Sequence, residues 1–346
     1  MIGRPVLWLR NFLALLPLAL VLGDVTEDLA LRYGSVIGGL INATFGNIVE
    51  IILSIAALLN GLYGVVAASL LGSILSNLLL VAGCSFFFGG LYNKTQKFNA
   101  TGSQASGSLL FLAALGFLIP TGAALLFGGD GPGGTEALVL GISRGTAVIL
   151  LLCYACYLGF QLYTHTDLFE DTPNDDDAER GSTGGPPSEE EQEPMLSLFT
   201  SVAMLTVITA VVAVASEFLT GSLEDFSKSS GLGEAFLGTI VLPIAGNACE
   251  HMTAVIVATK NKMDLSMGVA VGSSIQVALF AVPFAVVVGW ATGHPFTLNF
   301  DPFSAMALML SVAQVNFVTA GARSHWLLGV QLIALYVLIS LAYYFK

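Results

Sequence analysis

Charge is what this sequence has least of. Lys, Arg, Asp and Glu make up 10% of its 346 residues, against 55% hydrophobic ones. A soluble domain of this size needs a far more polar surface, so that class is excluded. Basic residues number only 12, which excludes the basic stripe by which proteins hold nucleic acid. Cysteine is sparse too: Cys84, Cys153, Cys156 and Cys249 all fall in apolar runs, where thiols pack. Cys153 and Cys156 have redox or metal spacing, but no second pair accompanies them. No His-x-x-x-His spacing occurs, which weighs against an intramembrane metalloenzyme.

The formal charge of −12 is local rather than general. Asp167–Glu193 carries eleven acids and one base, Arg180, so −10 resides in this one segment. Pro173, Gly184-Gly185-Pro186-Pro187 and Pro194 punctuate it. It is a solvated connector, or else a sensory or cation-concentrating element. The glycine and ligand spacing of an EF-hand loop is missing.

Apolar runs of about 20 residues, the length of a bilayer crossing, fill the rest. The first, Asn11–Leu31, reads as a helix rather than a cleaved leader, because no small-residue cleavage pattern follows. Nine more span Ser35–Leu59, Tyr63–Phe88, Ser106–Phe127, Glu136–Tyr163, Met195–Leu219, Gly233–Lys260, Leu265–Trp290, Phe303–Thr319 and His325–Phe345. The expected fold is an all-α integral membrane protein of ten transmembrane helices. Residues 1–166 form one five-helix unit, 167–194 the acidic linker and 195–346 a second five-helix unit. Five crossings is an odd number, so the second unit enters the bilayer inverted, an arrangement that places transporter sites at the midplane. Arg32, Lys94, Lys97, Arg180, Lys260, Lys262 and Arg323 fall on one side; Arg4, Arg10, Lys228 and Lys346 fall on the other, which makes seven against four, or five if Arg144 is counted there. The bias puts the linker in the cytosol.

One short stretch occurs twice in the same frame. GNIVE, Gly46–Glu50, recurs as GNACE, Gly246–Glu250, and Gly72-Ser73 recurs as Gly272-Ser273. An acid inside an apolar segment is costly and marks function by default. Residues three and four apart share a helix face, so Gly46, Asn47 and Glu50 form one stripe, and Gly246, Asn247 and Glu250 another. Two facing stripes bring Glu50 and Glu250 together at the membrane centre. Pro243 lacks a backbone donor, so the helix is expected to break there and turn carbonyls around Gly46, Ala245 and Gly246 toward a cation, unless the kink serves packing alone. Ser73, Ser76, Asn77, Ser273, Ser274 and Gln276 either complete the shell or bond between helices. His251 points about 100° from Glu250 on a helical wheel, as a second ligand, a proton relay or a packing residue. Glu27 and Glu217 end the first helix of each unit, lining an access path or standing in solvent.

At these residues the chain resembles the CAX branch of the Ca2+/cation antiporter superfamily, the H+/Ca2+ exchangers. GLINATFGNIVEIILSIAALLNG (Gly39–Gly61) is similar to that family's first signature repeat, and Gly246–Phe280, with its Glu-His pair and Gly-Ser-x-x-Gln element, to its second. The resemblance implies that Glu50 and Glu250 are shared cation and proton ligands, supported by Asn47, Asn247, Ser73, Ser273 and Gln276. It also implies an acidic helix in the linker. The loop Thr319–His325 departs from the family in lacking an acid, as does Leu328. The expected function is Ca2+/H+ antiport by alternating access, with Glu50 and Glu250 as metal ligands, in a vacuolar membrane. Exchange of Mn2+, Na+-driven Ca2+ exchange and a cation channel are the alternatives. No cofactor is implied; the partners are Ca2+, protons and the lipid bilayer.

Overall fold

The computed structural model describes residues 3–127, 134–168 and 194–346. The acidic linker, with its expected helix, lies outside the described residues. Eight helices are long and apolar enough to cross a bilayer: α1 (Arg4–Leu31), α4 (Tyr63–Tyr92), α5 (Ala100–Phe127), α6 (Thr135–Thr164), α7 (Leu198–Gly221), α11 (Met263–Thr292), α12 (Pro302–Thr319) and α13 (Trp326–Phe345). The remaining two expected crossings are each split. Residues 34–59 form α2 (Gly34–Phe45) and α3 (Ile48–Leu59), and residues 234–259 form α9 (Glu234–Gly246) and α10 (Ala248–Thr259). With each split pair taken as one span, the described residues are compatible with ten crossings. Helices dominate because hydrocarbon offers no partners to the backbone, so each segment must bond internally.

Burial separates the layers. The apolar window of α4 is 83% buried inside the protein and that of α11 67%, against 22% for α1 and for α7. The third crossing of each half is therefore the core, and the first faces lipid. At equivalent places the cores widen into π-helical turns, Ser76–Val81 and Val277–Ala281, a distortion that recurs at functional sites. Two-residue strands, β1 (Gln96–Lys97) and β2 (Arg323–Ser324), pair antiparallel and tie the loop between α4 and α5 to the loop between α12 and α13.

The structure moves several expected boundaries. Helix α1 starts at Arg4 rather than Asn11, with Pro5 preset for a first turn. Helix α5 starts at Ala100 rather than Ser106. An element missed in the sequence, α8 (Leu223–Ser230), lies between α7 and α9 and meets α9 at 117°. Glu224 and Asp225 begin it, Lys228 closes it and Gly231, at φ 73°, ends it in the left-handed region. Its Phe226 stacks on Trp8 with ring centroids 4.0 Å apart, and its Asp225 pairs with Arg4 at 3.1 Å. Eight residues with polar ends show no apolar run, which is why periodicity missed it.

Candidate functional site

Both breaks fall inside the repeated motif. Asn47 (φ −107°, ψ 28°) and Asn247 (φ −87°, ψ 18°) leave helical geometry where the next helix begins, and neither side chain caps that helix. Their amides reach across to the other half instead. Asn47 Nδ2 donates to Gln276 Oε1 on α11. Asn247 Oδ1 accepts from Ser73 Oγ at 2.9 Å, and its Nδ2 donates to the Ser73 carbonyl at 3.2 Å, both on α4. The two latches are not copies: equivalent asparagines choose non-equivalent partners. The carbonyl that Pro243 leaves without a donor is that of Thr239, four residues back, and it lies against Gly72 of α4.

Glu50 and Glu250 stand in the first turns of α3 and α10, where the helix dipole favours negative charge. They are only 6% and 8% exposed. Gly246, in the opposite half, makes room for Glu50, since a Cβ there would stand 2.7 Å from Glu50 Oε1.

Asp28 shows how a buried carboxylate looks when its role is structural. It is 8% exposed, and it accepts from the backbone N–H of Met195 at 2.5 Å and of Leu196 at 3.1 Å, and from Ser201 Oγ at 2.9 Å. Arg32 stands 3.7 Å away. The motif acids have no such cage. Glu50 Oε1, Glu250 Oε2, Asn47 Oδ1, Ser54 Oγ and both amide atoms of Asn77 are buried without a protein partner. Folded proteins leave few such atoms, and most of these are oxygens able to face a cation or a proton.

A cavity of about 590 Å³ reaches one of these residues, Glu250. Glu250, Gly46, Gly246, Ser273 and Gln276 line its depth, and Asn99, Leu168, Lys260 and Lys262 its outer part, so it opens on the face from which the linker departs. Glu27 lines this cavity; Glu217 is exposed and does not. His251 is half-buried and also off the wall. Ala245 is buried, with the Asn247 N–H directed back toward its carbonyl and that of Pro243. A second cavity of about 520 Å³ lies on the opposite face, bordered by Tyr63, Glu234, Asp301 and Tyr343, and the two share no lining residue. Sequence reasoning missed Cys249 and Thr253 on the wall of the first cavity and the Asp28 cage. Cys249 and Thr253, flanking Glu250 four residues apart on one helix face, were the available signal.

Residues 5–163 and 200–345 match the family described as sodium/calcium exchanger protein. The chain belongs to this family. A Ca2+/H+ antiporter of Synechocystis is 44% identical over 99% of this chain and 92% of its own length. Vacuolar cation/proton exchanger 2 of Arabidopsis thaliana is 40% identical over 97% of this chain and 75% of its own. The solved structure of native YfkE matches with a TM-score of 0.81 at 33% identity, covering 100% of this chain and 94% of that one. As a family member the chain is an integral membrane protein. Its relatives are named as transporters, not enzymes.

Among the described residues no three His, Cys, Asp or Glu side chains gather as a metal-binding group. The donor set is instead two carboxylates filled out by amide, hydroxyl and carbonyl oxygens, a hard set suited to Ca2+.

Proposed function

We propose that the chain is a secondary antiporter exchanging Ca2+ for H+ by alternating access, with Glu50 and Glu250 as ligands shared by both ions. The observation that carries this reading is the pair of buried carboxylates with unpartnered oxygens, one of which, Glu250, lines a cavity open to one face. Ca2+ takes about six to eight oxygens. Asn47, Asn247, Ser73, Asn77, Ser273 and Gln276 supply further donors beside the acids, as do the carbonyls of Gly46, Ala245 and Gly246. Two buried carboxylates that repel each other need positive charge between them. A divalent cation supplies it in one half of the cycle and protons in the other, so each ion drives the other out. Glu27 serves the open access path, and Glu217 has the corresponding place on the path that is closed.

A channel would need one continuous route. The two cavities share no wall residue, and a close helix contact separates them, which favours an exchanger. The relatives' names extend the reading to a vacuole-type membrane with the linker and large cavity facing the cytosol.

The test is uptake of radiolabelled Ca2+ into proteoliposomes with an imposed pH gradient and no other driving ion. Accumulation above equilibrium, abolished by a protonophore, is expected. Uptake only down the Ca2+ gradient would mean a channel. A requirement for Na+ or a preference for Mn2+ would assign a different exchanger.

A further inference from the structure

The halves keep one frame throughout the motif region. Gly38, Gly39, Ala43, Ala68 and Gly72 correspond to Gly238, Thr239, Pro243, Gly268 and Gly272. On one diagonal these positions interlock. A Cβ built on Gly238 would stand 2.7 Å from that of Ala68. One on Gly72 would run into the Thr239 carbonyl and stand 2.7 Å from Pro243 Cγ. Helices α4 and α9 thus meet backbone to backbone, the contact that small residues permit between membrane helices. This contact lies between the two cavities: Ala68 and Thr239 line the smaller, while Gly246 lines the larger.

The mirror contact is not made. Among the described residues nothing lies within 4 Å of a Cβ at Gly268 or Gly272, and both glycines line the large cavity. Their expected counterpart, α2, rests on α1, with Gly38 directed at the Ala30 carbonyl. One half therefore shows the small-residue seat filled, and the other shows the same seat open, on the side where the cavity is open.

We infer that Gly268 and Gly272 are required for exchange as the second seat of the gate. In the opposite access state α2 packs onto them as α9 now packs onto Ala68 and Gly72, closing the large cavity while the α4–α9 contact parts. This rests on the exchanger reading above and adds to it the residues that make closure possible. Neither glycine acts on the cation. Their task is to let two backbones meet, and a side chain there would hold the helices apart. Exchanging one close contact for an equivalent one keeps the two states near in free energy, which a reversible gate needs.

The test uses Gly272→Leu, which has open space in the present state. Cys249, on the cavity wall, serves as the reporter once Cys84, Cys153 and Cys156 are replaced by Ala. Expected are unchanged Ca2+ binding in detergent and a fall in exchange of about tenfold or more. Cys249 should be modified by an impermeant maleimide from the linker face at one rate under either direction of pH gradient, whereas in the parent that rate changes with direction. Exchange at the parent rate, or loss of Ca2+ binding together with exchange, would overturn the inference. In a background lacking all native cysteines, a disulfide between Ala68→Cys and Gly238→Cys should stop exchange, and a reductant should restore it. Full exchange by the cross-linked protein would also overturn it. If the parent itself failed to exchange Ca2+ for H+, the exchanger reading would fall. The gradient response of Cys249 would still decide whether the seat closes.

Discussion

Replacing Glu50 by Gln removes one negative charge from the buried pair and keeps the shape of the side chain. A neutral amide is cheaper to bury than a carboxylate, so the fold should persist. Glu50 reaches Gly246 in the opposite half, and its Oε1 has no protein partner, so the substitution disturbs no bond of that oxygen within the protein. What is lost is half of the negative charge facing the cation. Removing one partner of a buried ion pair costs about 3–5 kcal/mol and 1.4 kcal/mol is about tenfold, so the Kd for Ca2+ should rise by about two to three and a half powers of ten. The assay is calorimetry on detergent-purified protein at several pH values, in buffers of differing ionisation enthalpy. The sign follows from competition: Ca2+ needs both carboxylates ionised, so binding releases protons and weakens as pH falls. Glu50→Gln should bind weakly and release fewer protons. An unchanged Kd with unchanged proton release would refute the shared site, and Glu250→Gln should match Glu50→Gln.

Two further predictions concern groups away from the pair. Asp28→Asn cannot accept all that the caged carboxylate accepts from Met195, Leu196 and Ser201; each orphaned buried group costs about 1–3 kcal/mol, so the melting temperature should drop while Ca2+ affinity stays unchanged, as calorimetry would check. Asp301, which caps α12, is half-exposed: partial burial pushes its carboxyl up, but Lys346 at 2.6 Å and the Ser304 N–H and hydroxyl outweigh that and hold it below the usual carboxylate value. Its folded value is thus the lower one, so its stabilisation is present above the unfolded value near 3.8 and is lost as pH falls through the folded value. Asp301→Asn should therefore melt below the parent at neutral pH, with the gap closing in acid.

The membrane class was legible in the sequence, because hydrocarbon demands long apolar runs and tolerates few exceptions. So was the burial of the two motif acids. Glu50 and Glu250 stand out because a buried carboxylate is costly, and because a repeated frame brings equivalent residues to a shared axis. The expected break at the motif also agrees with the helix ends at Asn47 and Asn247.

Other features depended on contacts between residues far apart in the chain. Nothing in the sequence marks Asp28 as structural; only the return of Met195 and Leu196 to α1 shows that this carboxylate is caged and that of Glu50 is not. Asn47 and Asn247 are equivalent by frame, yet one bonds Gln276 and the other Ser73. Glu27 and Glu217 likewise read as a pair, and only one lines the open cavity. A duplicated sequence specifies two halves alike, whereas a transporter open to one face must hold them in unlike arrangements. Which seat is filled, at Gly72 or at Gly272, is a property of packing between the halves, and the tertiary structure alone decides it.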